Sequence, residues 1–299
     1  MTSLSLSGIK QYLSLVRFSH TLFAMPFALA AMLLAAEGLP SLRVFLLIVL
    51  CMVTCRNAAM AFNRLVDASF DKENPRTARR HIPAGILSRG QVLGFLILNA
   101  IVFLATTWFV NLLAFALAVP TLLAVCGYSL TKRFSSYSHF FLGLAIGISP
   151  VGAWIAVRGQ GMSQELLAAR WPTGSLIPFL MCVALMLWIA GFDIIYATQD
   201  HGFDRQRGLH SLVVKLGVTG ALTVSKAAHA AMWLVLAALG WAGGLGVAYG
   251  TCLGLVAAML LYLHVFRKSA SLDLMNQDFF LANIAVSFLV LAGIGASFL

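Results

Sequence analysis

Acidic side chains are scarce in this sequence, and most of them fall into two short clusters. Six of the ten Asp and Glu residues lie there: Asp67, Asp71 and Glu73 in the first cluster, and Asp193, Asp200 and Asp204 in the second. In the first cluster, Asn63, Asp67 and Asp71 follow one another at intervals of four residues, which places them on one face of a helix. Neighbouring carboxylates repel one another, and a divalent cation between them relieves that repulsion. Oxygen donors without His or Cys favour Mg²⁺, which usually completes its coordination with substrate phosphate oxygens.

The second cluster repeats the spacing of the first. Tyr196, Asp200 and Asp204 are also separated by intervals of four residues, at a constant offset of 133 residues from the first cluster. Asp193 lies on the same stripe, about one turn deeper in the helix. Two acidic helix ends of this kind would face each other across one cavity.

Arginines follow both clusters directly. Arg76, Arg79 and Arg80 come after the first cluster, and Arg205 and Arg207 come after the second. The planar guanidinium group suits phosphate oxygens. Acids and arginines at the mouth of an apolar bundle indicate a site for a lipid that carries a diphosphate. The alternative is a pair of solvated helix ends whose arginines only set the orientation in the membrane.

The elements that carry these clusters are membrane helices. The 299 residues are 61% hydrophobic and only 10% charged, which excludes a soluble enzyme, a disordered chain and a disulfide-rich secreted module. At about 20 apolar residues per span, we predict an all-α, polytopic bundle of nine transmembrane helices around a central cavity that opens to the cytoplasmic side and to lipid. The predicted spans are 18–37, 42–66, 90–109, 111–130, 139–157, 175–199, 216–241, 244–266 and 278–298.

Basic residues predict the orientation of the bundle. Fifteen of the 20 Lys and Arg residues lie in the amino-terminal segment and in the loops after even-numbered spans. The positive-inside rule therefore places the amino terminus in the cytoplasm and the carboxyl terminus outside, in a bacterial-type inner membrane. We interpret 1–299 as one transmembrane domain, with two related four-helix halves at 18–130 and 139–266 and a ninth helix at 278–298.

Local patterns predict several details of the helices. Pro75 stops a helix at Asn74, because the residue before proline is disfavoured in the α conformation. Ser88 and Gln91 have the spacing of a capping box that opens the third span. Gly143 and Gly147 are typical of close helix packing in membranes. The five cysteines lie in apolar segments, without a pairing framework, and are predicted to be packing residues.

Both acidic clusters resemble motifs of a known family. The run NRLVDASFD (63–71) is similar to the NDxxDxxxD motif of the UbiA superfamily of intramembrane aromatic prenyltransferases, and DIIYATQDHGFD (193–204) is similar to its second Asp motif. The resemblance extends over nearly the whole chain, through FSHTLFAMPFAL (18–29), NPRTARRHIPAG (74–85), YSLTKRF (128–134) and FDRQRGLHS (203–211). Arg64 stands where many members have Asp, which removes one potential metal ligand. This pattern is similar to the bacterial 4-hydroxybenzoate polyprenyltransferase-like branch.

The resemblance implies an activity and a set of site residues. The activity is Mg²⁺-dependent transfer of a polyprenyl group from polyprenyl diphosphate to the ring of an aromatic acid such as 4-hydroxybenzoate, in ubiquinone or menaquinone biosynthesis. The implied Mg²⁺ ligands are Asn63, Asp67, Asp71, Asp200 and Asp204. The expected diphosphate-binding residues are Arg64, Arg76, Arg80, Lys132, Arg133 and Arg205. The expected catalytic residues are Asp67, Asp71, Asp193, Asp200, Asp204, Tyr128 and Tyr196.

Three residues are candidates for binding the aromatic acceptor. Arg56 lies inside the second span on the face of Asn63, where it would bind the acceptor's carboxylate or neutralise an acid. Asp193 would orient the acceptor or serve as base, or else pair with a buried arginine. His20 would face the acceptor pocket or make a structural hydrogen bond. Tyr128 would lie beside the developing cation or act as an interfacial anchor, and Tyr196 has the same two interpretations.

Two alternatives concern the function itself. The same chemistry could use 1,4-dihydroxy-6-naphthoate, as in the futalosine route to menaquinone, which the same branch of the family includes. A secondary transporter would also contain intramembrane acids and repeated halves. Against a transporter, the acids are predicted at helix ends beside arginines rather than near the midplane. We expect membrane lipid, polyprenyl diphosphate and an aromatic carboxylic acid as partners, with no nucleic acid and no obligate protein partner.

Overall fold

The chain folds into helices that run back and forth through one bundle. The structure, a computed structural model, describes residues 6–16, 21–266 and 272–298. Within these residues, every regular element is a helix. The α-helices are α1 (Leu6–Leu15), α2 (Thr21–Ala36), α3 (Leu42–Val66), α4 (Ala68–Glu73), α5 (Arg89–Val110), α6 (Leu112–Gly127), α7 (Ser138–Leu167), α8 (Leu176–Ala197), α9 (His201–Gln206), α10 (Leu212–Ala242), α11 (Val247–Leu261) and α12 (Leu272–Gly295). Short 3₁₀ segments cover Tyr128–Arg133, Thr198–Asp200 and Ala296–Phe298, and a π-helical turn covers Tyr262–Phe266.

The helices confirm an all-α, integral membrane protein. Among the described residues, eight helical segments have the length and apolar character of membrane spans: α3, α5, α6, α7, α8, α10, α11 and α12. Helix α2 contains a shorter apolar stretch, Ala24–Ala36. The predicted total of nine spans and the side to which the cavity opens remain predictions.

Several helix boundaries differ from the predicted spans. Helix α7 continues ten residues beyond the predicted end at position 157, because hydropathy marks the apolar part of a helix and not its polar extension. Helix α10 begins at Leu212 and is interrupted at Gly217, whose φ of 70° is one that glycine adopts without strain. Helix α1 lies outside the predicted spans. Its Tyr12 stacks on Phe95 of α5, with ring centroids 4.9 Å apart.

The spacing of the first acidic motif predicts one continuous helix, but in the structure the motif crosses a break between two helices. Helix α3 ends at Val66 and α4 begins at Ala68, with Asp67 between them at φ −91° and ψ 0°. The backbone hydrogen bonds from Asp67 N to Asn63 O and from Asp71 N to Asp67 O, at 3.0 and 2.8 Å, nevertheless keep the four-residue repeat. The three side chains therefore remain on one stripe across the break.

The second acidic motif also crosses a break. Helix α8 ends at Ala197, a 3₁₀ segment carries Asp200, and α9 carries Asp204. Breaks in both motifs turn the chain at the end of the bundle, so that acids from two neighbouring turns face the same space.

Two predicted helix boundaries are confirmed in detail. Asn74 ends α4 in an extended conformation, with ψ at 117°, directly before Pro75. The Ser88 side chain accepts a hydrogen bond from Gln91 N, and the Gln91 side chain accepts one from Ser88 N, which completes the capping box. The cysteines are all free, as expected.

Helix α8 forms the centre of the packing. Its Met181, Leu185 and Trp188 are fully buried against Phe27 of α2 and Leu236 of α10. Burial of large apolar side chains around one helix fixes that helix in the bundle, which matters because α8 carries the second acidic motif.

Helices α7 and α8 approach each other closely at two glycines, as the sequence predicts. A Cβ atom added to Gly143 would lie 2.3 Å from the Met186 carbonyl oxygen, and one added to Gly147 would lie 2.7 Å from the Cys182 carbonyl oxygen. Both obstacles are backbone atoms, which cannot move without moving the helix.

We predict that Gly143→Ala lowers stability by about 1–3 kcal/mol, because the added methyl group overpacks this contact. The measurement is the midpoint of thermal unfolding of the purified protein in detergent. Gly161→Ala in the same helix is the matched control, since a Cβ there would meet no atom within 4 Å. Equal midpoints for the two variants would contradict the predicted strain.

Candidate active site

The two acidic motifs line one polar cavity of about 220 Å³ at an end of the bundle. The expected facing of the two helix ends is therefore what the structure shows. Five carboxylates and four basic side chains line this cavity: Asp67, Asp71, Asp193, Asp200 and Asp204, with Arg76, Arg80, Lys132 and Arg133.

On the first motif, each carboxylate has a polar partner. The Asn63 Nδ2 group donates a hydrogen bond to Asp67 Oδ2 at 2.8 Å. The Arg80 Nη1 group donates one to Asp71 Oδ1 at 2.6 Å. The Arg133 Nη2 atom lies 3.6 Å from Asp67 Oδ1. The second oxygen of Asp71 is buried and accepts no hydrogen bond from the described residues.

The segment after the first motif binds the second motif. Arg76 donates to both carboxylate oxygens of Asp200, from Nη2 to Oδ2 and from Nε to Oδ1 at 2.9 Å. Asn74 Nδ2 donates to the same Oδ1 at 3.1 Å. Arg76 Nη1 also donates to Tyr196 Oη at 3.1 Å. These contacts connect residues 120 to 126 positions apart and hold the two acidic helix ends together.

In the second motif, Asp204 is less completely paired than Asp200. Lys132 Nζ lies 3.6 Å from Asp204 Oδ2, too far for a hydrogen bond. Asp204 is 3% exposed, and its Oδ2 atom accepts no hydrogen bond within the described part of the chain. A buried carboxylate oxygen that lacks a donor favours a cation beside it.

Burial and neighbouring charges shift the pKa values of both Asp67 and Arg76, with a different balance at each residue. Burial raises the pKa of the Asp67 carboxyl, and the nearby charge of Asp71 raises it further, against the opposing effect of Arg133. Burial alone would lower the pKa of Arg76, but its hydrogen bonds to Asp200 and the charge of that carboxylate outweigh burial and raise it. Burial and the neighbouring carboxylate thus outweigh the nearby cations at Asp67, whereas Arg76 is firmly held as a cation.

The donor chemistry of the cavity fits Mg²⁺. Among the described residues, no three His, Cys, Asp or Glu side chains lie close enough to form a metal site by themselves. Mg²⁺ rarely needs such a cage, because it usually binds through one or two carboxylates and substrate phosphates. The unpartnered oxygens of Asp71 and Asp204 are ligands of the type that this ion prefers.

A second, mainly apolar cavity of about 670 Å³ adjoins the polar one. Its wall on α7 runs from Leu142 to Ala156, a helical rise of about 21 Å. Arg56 is on the wall contributed by α3. The two cavities lie side by side, since they share the lining residues Asn63, Arg80, Tyr128, Leu142, Asp193 and Tyr196.

Asp193 lies at the junction of the two cavities. Its Oδ2 atom is 2.6 Å from Nδ1 of His139, a fully buried side chain in the first turn of α7. The alternative in which Asp193 pairs with a buried arginine is therefore wrong, because its partner is an imidazole. The Asp193 side chain is 25% exposed, so it reaches open space at the junction.

Two expected site residues lie outside the polar cavity, and a third cannot be placed. Arg64 is buried, donates to Leu15 O at 3.4 Å and to Asn63 Oδ1 at 3.3 Å, and lines the apolar cavity rather than the polar one. Arg205 is exposed and lines neither cavity, because the turn of α9 directs it outwards. His20 lies outside the described residues.

Sequence reasoning missed three residues of the site. Asn74 marks a helix end in the sequence, and its contact with Asp200 has no local signal. Thr77 lines the polar cavity and donates to the Asp71 carbonyl oxygen at 3.1 Å. His139 is a single histidine 54 positions from its partner, and no spacing pattern distinguishes it.

Known proteins resemble this chain over most of its length. Residues 24–284 match the UbiA prenyltransferase family. The 4-hydroxybenzoate octaprenyltransferase of Tolumonas auensis is 29% identical over 264 residues, which are 88% of this chain and 87% of that protein. The apo structure of a UbiA homologue from Aeropyrum pernix K1 superposes with a TM-score of 0.82 and 30% identity, over 94% of this chain and 98% of that one.

A more distant structure shares the fold. The UbiA homologue from Archaeoglobus fulgidus bound to GPP and Mg²⁺ has a TM-score of 0.67 and 20% identity, covering 94% of this chain and 99% of that one. The family match covers most of the chain and includes both acidic motifs. The chain therefore belongs to the UbiA prenyltransferase family and is an integral membrane prenyltransferase.

Proposed function

We propose that this protein transfers a polyprenyl group from polyprenyl diphosphate to the ring of 4-hydroxybenzoate, in a Mg²⁺-dependent step of ubiquinone or menaquinone biosynthesis. The observation that carries the proposal is that a charged cavity adjoins a long apolar cavity and shares six lining residues with it. A diphosphate and an isoprenoid chain have this same division of polarity. Relatives named 4-hydroxybenzoate octaprenyltransferase support the acceptor, and the homologue bound to GPP and Mg²⁺ supports the donor and the ion.

The polar cavity would bind the diphosphate. Mg²⁺ would be held by Asn63, Asp67, Asp71, Asp200 and Asp204. When bound, it would neutralise charge that develops on the departing diphosphate. The cations Arg76, Arg80, Lys132 and Arg133 would contact the diphosphate oxygens. Because carboxylates outnumber these cations by five to four, a polyanion would enter only together with positive ions.

The apolar cavity would hold the isoprenoid chain and keep water from its reactive end. Tyr128 and Tyr196 line the junction, where the bond between the prenyl carbon and the diphosphate oxygen would lie. An aromatic ring face attracts a cation, so these rings would stabilise positive charge on the allylic carbon. Exclusion of water favours attack by the acceptor over hydrolysis.

The acceptor would be held between Arg56 and Asp193. The guanidinium group of Arg56 would bind the carboxylate of the aromatic acid within the apolar cavity. The ring carbon next to the phenol hydroxyl then forms a bond to the prenyl carbon as the carbon–oxygen bond to diphosphate breaks. The ring proton would leave to Asp193, which restores the aromatic ring.

The same chemistry on 1,4-dihydroxy-6-naphthoate is the second candidate. Arg64, which stands where many family members have Asp, supports it because this pattern occurs in the branch that includes such enzymes. In either case we place the polar cavity at the cytoplasmic face of a bacterial-type inner membrane, with the amino terminus in the cytoplasm and the carboxyl terminus outside. Because the chain belongs to a family of prenyltransferases, we do not propose the transporter alternative.

We predict that Asp67→Asn and Asp200→Asn each lower turnover by at least about 100-fold while the protein stays folded, because each removes a charge that would bind the metal, and the asparagine amide at position 200 keeps an oxygen that can accept from Arg76. The measurement is prenyl transfer in membranes with geranyl diphosphate, Mg²⁺ and 4-hydroxybenzoate or 1,4-dihydroxy-6-naphthoate. Glu165→Gln, a change at a partly exposed acid that lines neither cavity, is the control and should retain activity. Near-normal turnover in either Asp variant would count against the assigned metal site.

Arg56→Ala tests the acceptor site. We expect the KM for the aromatic acid to rise about 10- to 100-fold, because a charge-assisted hydrogen bond to the acceptor is lost. The KM for prenyl diphosphate should change little. Both constants are measured by varying one substrate at saturating concentrations of the other. An unchanged KM for the acceptor would remove Arg56 from the acceptor site.

Gly152→Phe tests the site of the isoprenoid chain. Gly152 lines the apolar cavity, and a Cβ there would meet no atom within 4 Å, so the added ring would occupy the cavity itself. We predict that kcat/KM for an octaprenyl donor falls roughly tenfold or more relative to that for a geranyl donor. Gly250→Phe on α11 is the control, because Gly250 also has open space but lines neither cavity. Equal preferences in wild type and Gly152→Phe would place the chain elsewhere.

A further inference from the structure

His139 is a buried polar side chain whose contacts within the described residues converge on a single acid. It is 0% exposed, and its Nδ1 atom lies 2.6 Å from Asp193 Oδ2. Its other ring nitrogen, Nε2, is buried and has no hydrogen-bond partner in the described part of the chain. A buried polar ring with one unsatisfied nitrogen is costly, so packing alone does not account for a histidine here.

The hydrogen bond determines the tautomer of the ring. An ionised carboxylate only accepts hydrogen bonds, so Nδ1 of His139 carries the proton and donates it to Asp193. The bond occupies Oδ2 and limits rotation of the carboxylate. Because Asp193 lies at the junction of the two cavities and is partly exposed, its second oxygen, Oδ1, is left to face the reacting groups.

We propose that His139 is a positioning residue that orients Asp193, so that the free carboxylate oxygen accepts the proton released by the aromatic ring. This inference rests on the proposed function. In the step, the electron pair of the prenyl carbon–oxygen bond leaves with diphosphate, and a ring electron pair forms the new carbon–carbon bond. The pair of the ring carbon–hydrogen bond returns to the ring, and the proton passes to Asp193 Oδ1.

The hydrogen bond between His139 and Asp193 acts by orienting the carboxylate. This effect can be distinguished by experiment from a role in packing. If Asp193 is free to rotate, the prenyl cation still forms and bonds to the ring, but this adduct is deprotonated more slowly. The adduct therefore reverts more often by breaking the new carbon–carbon bond, and water competes for the cation that is released. Loss of a residue that only packs would instead slow all outcomes in parallel. The fraction of prenyl diphosphate converted to prenyl alcohol rather than to prenylated product therefore reports on orientation.

The variants are His139→Leu, which removes the donor, and His139→Asn, whose side-chain amide retains one. We expect His139→Leu to lower kcat for transfer about 10- to 100-fold with little change in the KM for prenyl diphosphate, as is typical when a group that orients a functional side chain is removed. The alcohol fraction should rise. A kinetic isotope effect should appear with 4-hydroxybenzoate deuterated next to the hydroxyl, or with the correspondingly deuterated naphthoate. His139→Asn should restore most of the transfer.

Two further variants separate this role from a structural one. His229→Leu is the matched control, because His229 is 1% exposed yet lines neither cavity. Its alcohol fraction and isotope effect should equal those of the wild type at equal folded protein. Adding His139→Leu to Asp193→Asn should cause no further loss, because two residues that act as a unit are not additive.

Each outcome decides between the claims. Transfer with an unchanged alcohol fraction and no isotope effect in His139→Leu, or additive losses in the double variant, would overturn the positioning role alone. If His139→Leu does not fold, failure of His139→Asn to exceed the activity of Asp193→Asn would overturn it. Absence of any prenylated product from the wild type with both acceptors would overturn the proposed function, and this inference with it.

Discussion

The ion pair between Arg76 and Asp200 connects the two acidic motifs, and the geometry of the site depends on it. A carboxylate at the end of an apolar bundle loses much of its hydration, so it persists there only beside positive charge. Arg76 supplies that charge from the segment after α4, with two hydrogen bonds to Asp200 and a third to Tyr196. Without this link, five carboxylates around one small cavity would repel the helix ends that carry them.

The same pairing gives the polar cavity its chemical character. Arginine and lysine hold the acids in the absence of substrate, and each of these cations is also a phosphate ligand by its chemistry. In the proposed function, entry of a diphosphate with its ions would amount to an exchange of partners among charges that are already in place. Little reorganisation of the protein is needed, which is the condition under which electrostatic stabilisation of a leaving group is most effective.

Patterns with a short period were predictable from the sequence, and contacts between distant segments were not. The four-residue spacing of both motifs, the capping box at Ser88 and the pair of small residues at Gly143 and Gly147 are each visible within a short stretch of the sequence. The contact between Arg76 and Asp200 spans 124 positions and depends on how the bundle brings the segment after α4 to the 3₁₀ segment after α8. Arg205 directly follows the second acidic motif in the sequence, but the short helix α9 directs its side chain away from the cavity. Closeness in sequence was therefore not enough to predict its position. His139 was not predictable either, since a lone histidine has no pattern.

The glycine contact between α7 and α8 has a consequence for the acid–imidazole pair near it. Gly143 lies one turn after His139, and the backbone it touches extends to Ala190, three residues before Asp193. Because the main chains of α7 and α8 are in contact at that point, neither helix can slide or rotate without a steric clash between backbone atoms. The contact between the two helix backbones therefore sets the distance between the His139 ring and the Asp193 carboxylate. Side-chain motions elsewhere in the bundle affect that distance little.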